Sequence, residues 1–323
     1  MTASRSDTAT RFELISNKGG ERIGKAMPRA WEILGSTAVI SACRDAITHS
    51  VRFMKQLRRD PRHVGVHTLE LQSGPTCALM SMLASKAGAS QVLACDMSSQ
   101  FNDSNTELAK LNGLLHSPKD FGGVCFTKVH PSKLTSGSAQ SQLTRPVDVL
   151  LLPIPEQGLF EGGLVKIIRT VQQNAALLSR DAIVSPSKIT IWAQVVETTQ
   201  AASSVSGNMD FSALFNLILS SAAAPPAVDV ERFPHRSLCA PIRMTTVDLA
   251  DVIQSRSSEA IISHFKNELA SVQITSDGRA TAVVWWWSLD LCSHASKDSL
   301  TLTNAPKSSS PWLQVHNWVT RAT

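Results

Sequence analysis

From Trp31 to Leu57 apolar residues recur near helical spacing, at Ile33, Leu34, Val39, Ile40, Ala46, Ile47, Val51, Met54 and Leu57. That period predicts one or two helices. Between residues 66 and 152 the pattern becomes short apolar runs separated by helical stretches. Strands are expected at residues 66–71, 91–95, 124–129 and 147–152. Helices are expected at residues 79–87, stopped by Gly88, at 102–111, stopped by Asn112-Gly113, and at 164–178. Strands that alternate with helices in this way make a doubly wound parallel sheet. After about residue 186 the texture is β-rich, with β-branched and aromatic runs at residues 188–196 and 280–291. A helical interruption at residues 211–220, followed by Ala224-Pro225-Pro226, reads as an inserted arm.

The implied organisation is a flexible tail over residues 1–28, punctuated by Gly19-Gly20 and Pro28, and two domains. The first, α/β, covers residues 29–185. The second, of β structure, covers residues 186–323 and carries the arm at about 208–236.

Hydrophobic residues make up 43% of the 323-residue chain and charged residues 18%, the balance of a globular protein with a sizeable core. No apolar run approaches the ~18–20 residues that span a bilayer, so no membrane partner is expected. The first 28 residues lack an apolar core for a secretory signal. Arg5, Arg11 and Arg22 would suit an organelle-targeting peptide, but Asp7, Glu13 and Glu21 argue against one. Six cysteines without a CxxC pair read as single buried thiols in a reducing compartment, and the expected location is cytoplasmic. A net charge of +5 permits contact with RNA without demanding it. The basic cluster Arg52, Lys55, Arg58, Arg59 and Arg62 reads as a solvated helix face, with an RNA-contacting patch as the alternative. His63 and His67 flank a strand start, where their spacing does not converge on one ion, and no metal site is expected.

A doubly wound sheet binds ligands beyond the carboxyl ends of its strands, starting at the turn after the first. That turn runs from Gln72 to Cys77, and Gly74 is its one glycine. The next strand ends in Asp96, placed to accept hydrogen bonds from ribose hydroxyls or to cap a helix. Glu70 and Asp148 read as caps or sheet-end charges, and Trp285-Trp286-Trp287 as core of the β-rich half.

The residues from Leu69 to Leu71, from Leu79 to Ala89 and from Val92 to Ser98 together resemble the protein arginine methyltransferases. Further likenesses follow in order at Lys110 to Gly113, Val147 to Leu151, Leu159 to Glu161, Ile191 to Gln194, Asn208 to Ser212 with Val228 to Val230, Arg279 to Leu291, and Ser308 to Trp318. The resemblance implies a Rossmann-like S-adenosylmethionine-dependent methyltransferase domain followed by a β-barrel domain with an inserted helical dimerisation arm.

It also implies a degenerate site. The family's loop carries three glycines; the first matches Gln72 here, only Gly74 remains, and Pro75 stiffens the turn. The arginine that pairs with the cofactor's carboxylate falls near Val39, with Arg44 nearby. The family's cofactor-covering tyrosines have no counterpart in a chain with no tyrosine. The two glutamates that grip the substrate guanidinium fall on Pro153 and Gly162, while Glu156 and Glu161 stand out of register. The family's closing histidine is lost at Ser310-Pro311-Trp312. Any remaining cofactor contacts would come from Glu70, Gly74 and Asp96.

By resemblance, then, the chain is similar to the catalytically inactive prozyme of kinetoplastid enzyme–prozyme pairs. It is expected to bind no cofactor itself. It would form a heterodimer or heterotetramer with an active type I paralogue that binds S-adenosylmethionine, and would reach protein substrates, often RNA-binding proteins, through the complex. The alternative is a divergent active methyltransferase that uses Asp96 for the cofactor and Glu156 or Glu161 for arginine.

Overall fold

The computed structural model describes residues 33–58, 65–74, 76–96, 99–115, 122–134, 143–154, 164–198, 205–206, 209–210, 227–228, 234–255, 272–293, 300–306 and 314–318. Two compact units emerge. Met1–Pro153 and Ala176–Ile183 form the first, Ile154–Ala175 and Val184–Thr323 the second. A single boundary at 185/186 was expected, but the chain changes unit three times, and Ile154–Ala175 belongs with the second unit.

The first unit opens with residues 33–35, which are helical, and then helix α1 (Thr37–Leu57), started by Ser36, whose hydroxyl accepts from Val39 N. Its buried stripe is Val39, Cys43, Ala46, Ile47, Ser50, Val51 and Met54, three and four residues apart. Each large apolar member contributes about 1.5–3 kcal/mol through burial. Strands β1 (His67–Leu71), β2 (Gln91–Cys95), β3 (Val124–Thr127) and β4 (Val147–Leu151) alternate with helices α2 (Leu79–Lys86) and α3 (Ser99–Leu111). Pairing is parallel between β1 and β2, β1 and β4, and β2 and β3. With β5 (Leu178–Ser185) at the far edge the order is β3-β2-β1-β4-β5, the crossed-over order of a Rossmann-like sheet. Every residue of β1, β2 and β4 is buried, as strands covered on both faces must be.

Strand β5 replaces the end of the helix expected through residue 178. Helix α4 (Leu164–Gln173) stops at Asn174, and a 3₁₀ turn over Ala175–Leu177 leads into the strand. The run Ala175-Ala176-Leu177-Leu178 has helical composition, and that local preference is overridden by pairing with β4.

The second unit is built on β6 (Lys188–Thr198). Strands β7 (Val205–Ser206) and β8 (Met209–Asp210) pair only with each other among the described residues. The main sheet adds β9 (Ala227–Val228), β10 (His235–Ser237), β11 (Ile242–Asp248), β12 (Ala282–Asp290), β13 (Thr301–Thr303) and β14 (Gln314–Trp318). All its pairings are antiparallel, in the order β10-β6-β12-β14-β9, with β11 on β6 and β13 on β12. This curled sheet is the β-barrel domain. Helix α5 (Leu249–Gln254), absent from the sequence expectation, starts at Asp248, whose carboxylate accepts from Ala250 N and Asp251 N at 3.1 Å. Its Val252 carbonyl accepts from Gln172 Nε2 of α4 at 2.6 Å.

The tryptophan run lies on β12 as core. Trp286 packs with Val196, Ala282 and Val284, and Trp287 has no exposed surface. Most of the expected dimerisation arm, residues 208, 211–226 and 229–233, lies outside the described residues.

At the amino ends of β1 and β4 a buried carboxylate gathers cations. Asp148 has no exposed side chain and pairs with Arg145 Nη2 at 2.9 Å and with Arg58 Nε at 3.3 Å. His67 N donates to it at 2.9 Å, and Arg145 also donates to the Gly65 carbonyl. The basic cluster at the end of α1 therefore divides. Arg52 and Lys55 are exposed, but Arg58 is not the solvated charge expected, because it is spent on Asp148; Arg59 and Arg62 lie outside the described residues. Burial of His67, assisted by Arg145 and opposed by Asp148, pushes its imidazole down from 6.5 to about 4.

Asp148→Ala should cost about 2–3 kcal/mol in urea unfolding, because it leaves two partly buried arginines without their carboxylate, less than for a fully buried pair. The neutral His67 ring gives an independent expectation. The unfolded chain takes its proton near 6.5 and the folded chain near 4, so its share of stability is present above 6.5 and is lost as pH falls through that window. Unfolding midpoints measured across that window should fall less steeply for His67→Phe than for the unaltered chain.

Candidate functional site

The carboxyl ends of β1 and β2 meet in a turn closed on itself. Gln72 N donates to the Cys95 carbonyl at 2.8 Å, which ties the start of the turn to the end of β2. Gly74 N donates to Asp96 Oδ2 at 2.7 Å. Ala78 N returns to the Ser73 carbonyl at 2.9 Å, and Cys77 N to the Gly74 carbonyl at 3.0 Å. Three residues of this stretch that are not glycine, Gln72, Cys77 and Ala78, adopt φ of 57°, 52° and 51°. Each such residue costs about 1–2 kcal/mol in the left-handed region.

Asp96 is 6% exposed. Its backbone N–H donates to the Thr127 carbonyl at 3.1 Å, and its carbonyl accepts from Asn102 Nδ2 at 2.6 Å. The carboxylate thus faces the loop. The Phe101 ring lies against the same glycine: a Cβ on Gly74 would come within 2.4 Å of Phe101 Cδ2 and 2.7 Å of Asp96 Oδ2. Glycine is required here because the molecule's own ring and carboxylate fill the space.

Glu70, four-fifths of the way along β1, reaches the start of α2. Its carboxylate accepts from Ser81 N at 2.8 Å and from Thr76 Oγ1 at 3.1 Å, so it caps that helix from outside. Burial pushes it up to about 7; the Ser81 and Thr76 hydrogen bonds oppose this and the charge of Asp96 adds to it. The thiols nearby are pushed away from the thiolate form. Burial, then the charge of Glu70, raises Cys43 to about 12 and Cys77 to about 11, while burial, then Asp96, raises Cys95 to about 12.

The other expected positions fall as follows. Val39 is buried in the apolar stripe of α1. Arg44 is exposed and bound within its own helix, to Asp45 Oδ1 at 3.0 Å and Ser41 Oγ at 2.9 Å, so it does not take the place of the missing cation. Pro153 follows β4 between the buried Leu152 and Ile154, where it offers no anionic group. Glu156, Glu161, Gly162, Pro75 and Trp312 lie outside the described residues. The structure brings Glu70, Gly74 and Asp96 to one edge. Sequence reasoning missed Phe101 and Asn102, whose signal was an aromatic and an amide in the first turn of the helix after the acidic strand end.

No family model matches the chain. An arginine N(omega)-methyltransferase from Streptomyces achromogenes subsp. streptozoticus is 28% identical over 260 residues, 79% of this chain and 63% of that protein. Protein arginine N-methyltransferase 7 of Xenopus laevis is 24% identical over 263 residues, 77% of this chain and 36% of that protein. The chain thus spans less than two-thirds of either relative's length. Among solved structures, the Trypanosoma brucei PRMT1 enzyme-prozyme heterotetrameric complex with AdoHcy gives a TM-score of 0.65 at 16% identity, covering 90% of this chain and 81% of that one. Arabidopsis thaliana protein arginine methyltransferase 10 gives 0.60 at 14% identity, covering 90% and 82%. These likenesses show the fold, and with the sequence relatives they support the protein arginine methyltransferase family.

A buried carboxyl group raised to about 7 from 4.5 contributes its stability below 4.5 and loses it as pH rises through 7. Glu70→Gln keeps an acceptor for Ser81 N without a charge. Its thermal unfolding midpoint should fall less than that of the unaltered chain between pH 6 and pH 8.

Proposed function

We propose that this protein of arginine methyltransferase type is a regulatory subunit without a methyl-transfer site of its own, and that it acts by assembling with an active paralogue in the cytoplasm. One observation carries the reading. The carboxylate that a nucleoside's ribose would need, on Asp96, is turned onto Gly74 N and shielded. Oδ2 is engaged in a 2.7 Å bond within the protein, and the residue's 6% exposure leaves little surface from which a ligand could reach the carboxylate.

The residues around it agree. S-adenosylmethionine carries a positive sulfonium, a carboxylate and a nucleoside. For the carboxylate the family's arginine position offers Val39 inside an apolar stripe. For the nucleoside the turn offers left-handed non-glycine backbone in place of an open glycine loop. For the target guanidinium, Pro153 stands where a fixed anion is needed. The described residues therefore do not fit the cofactor, and it would be the partner that binds S-adenosylmethionine. The architecture of the Trypanosoma brucei complex, an enzyme with a prozyme, supports the same division of labour here.

A second reading, a divergent active methyltransferase, is favoured by the similarity to the Streptomyces arginine N(omega)-methyltransferase. One experiment separates the two. The purified chain, incubated with radiolabelled S-adenosylmethionine and an arginine-rich protein, should transfer no label. Co-expressed with an active arginine methyltransferase from the same cells, it should co-purify with that enzyme and raise its rate. Label transfer by the chain alone would overturn the regulatory reading, as would the lack of any co-purifying methyltransferase.

A further inference from the structure

We propose that Phe101 is an internal plug, an aromatic side chain that occupies the nucleoside position of the first unit and holds it shut. The inference rests on the reading that the chain has no working cofactor site, and it names the group that closes it.

The ring comes from the first turn of α3, which begins where β2 ends. Its placement is set by the backbone. Asn102, its neighbour, clamps the Asp96 carbonyl at 2.6 Å, and Asp96 N is held by the Thr127 carbonyl of β3 at 3.1 Å. The helix start is therefore tied to the strand ends and carries Phe101 onto the turn. There the ring lies so close to Gly74 that a methyl group on that glycine would sit 2.4 Å from Cδ2 and 2.6 Å from Cγ. The only glycine of the turn, the one point where backbone could touch a ligand closely, is already in contact with an aromatic face. Beside it the Gly74 N–H is already donated to Asp96 Oδ2, and a ribose would have to use the acceptor capacity that the carboxylate keeps.

The surroundings suit a polar occupant better than a phenyl ring. Ser73 Oγ and Gln72 Oε1 in the same turn, and Asn102 Oδ1 at the base of α3, are buried without a hydrogen-bond partner. Unpaired buried polar groups are costly, and each would gain from a ligand able to donate or accept there. The edge keeps polar equipment for a nucleoside while an apolar side chain stands in the way. Taking the ring away removes the competitor, which raises apparent affinity by the fraction of molecules that become open.

The test is calorimetric titration of S-adenosylhomocysteine into the full chain and into Phe101→Ala, each with thermal unfolding recorded with and without the compound. The unaltered chain should give no heat. Phe101→Ala should bind at least about tenfold more tightly and unfold at a higher temperature when the compound is present. Adding Asp96→Ala to that variant should abolish the gain, because the ligand would then have lost its ribose acceptor. A folded Phe101→Ala protein as unresponsive as the parent would overturn the plug and leave the regulatory reading standing. Micromolar binding by the unaltered chain would overturn both. Should Phe101→Ala fail to fold, Phe101→Leu keeps an apolar contact for α3, removes the ring, and is held to the same criterion.

Discussion

A carboxylate with no exposed surface must be surrounded by donors, and Asp148 draws them from three separate stretches of chain. Arg58 comes from the end of α1, the His67 N–H from the start of β1, and Arg145 from the approach to β4. Arg145 also reaches back to the Gly65 carbonyl, so the entries to both central strands are held by one ionic group. The strands themselves are buried throughout, and the apolar contacts of Leu69, Leu71, Val149 and Leu150 are less selective for register than a charge is. The charged cluster supplies direction, since shifting β1 against β4 would strand Asp148. This fixes the register that places Glu70, Gly74 and Asp96 at the opposite end.

That opposite end is closed by different means. Glu70 is taken up in starting α2, and Asp96 in holding Gly74. Both are the acids that a ligand-binding edge of this fold would present. Here each accepts hydrogen bonds from the protein's own backbone, which fasten the loop and the start of α2. The left-handed Gln72, Cys77 and Ala78 are tolerated because hydrogen bonds to Cys95, Gly74 and Ser73 hold them.

The β-rich unit follows a separate logic. Strand β6 pairs with β10, β11 and β12, and Trp192 on it donates to Ser288 Oγ of β12 at 3.0 Å. A register shift between Arg243 and Thr245 bends β11 along it. Aromatic bulk is used here as packing, which agrees with the reading of the tryptophan run from its place in a β-branched strand.

Much of this was legible in one dimension. Strands β1, β2 and β4 and helix α2 are within a residue or two of their expected bounds, because an apolar run ended by glycine or asparagine is a local signal that burial reinforces. Glu70, Gly74 and Asp96 could be named because strand ends and turns are found by counting. What the chain alone could not yield depends on which way a side chain faces once distant segments pack. Arg58 looks like any surface cation until Asp148 is brought beneath it. Residues 174–178 look helical until β4 offers an edge. Asp96 reads as an acid at a strand end, with no sign that folding brings Gly74 N to it and lays Phe101 against that glycine. The sequence by itself determined most of the elements, their order and the residues at the carboxyl edge of the first sheet, because these follow from local periodicity and turn chemistry. Only the tertiary structure decided that Gly74 meets Asp96 and Phe101, because that depends on contacts between residues 22 and 27 positions apart along the chain, which no local pattern encodes.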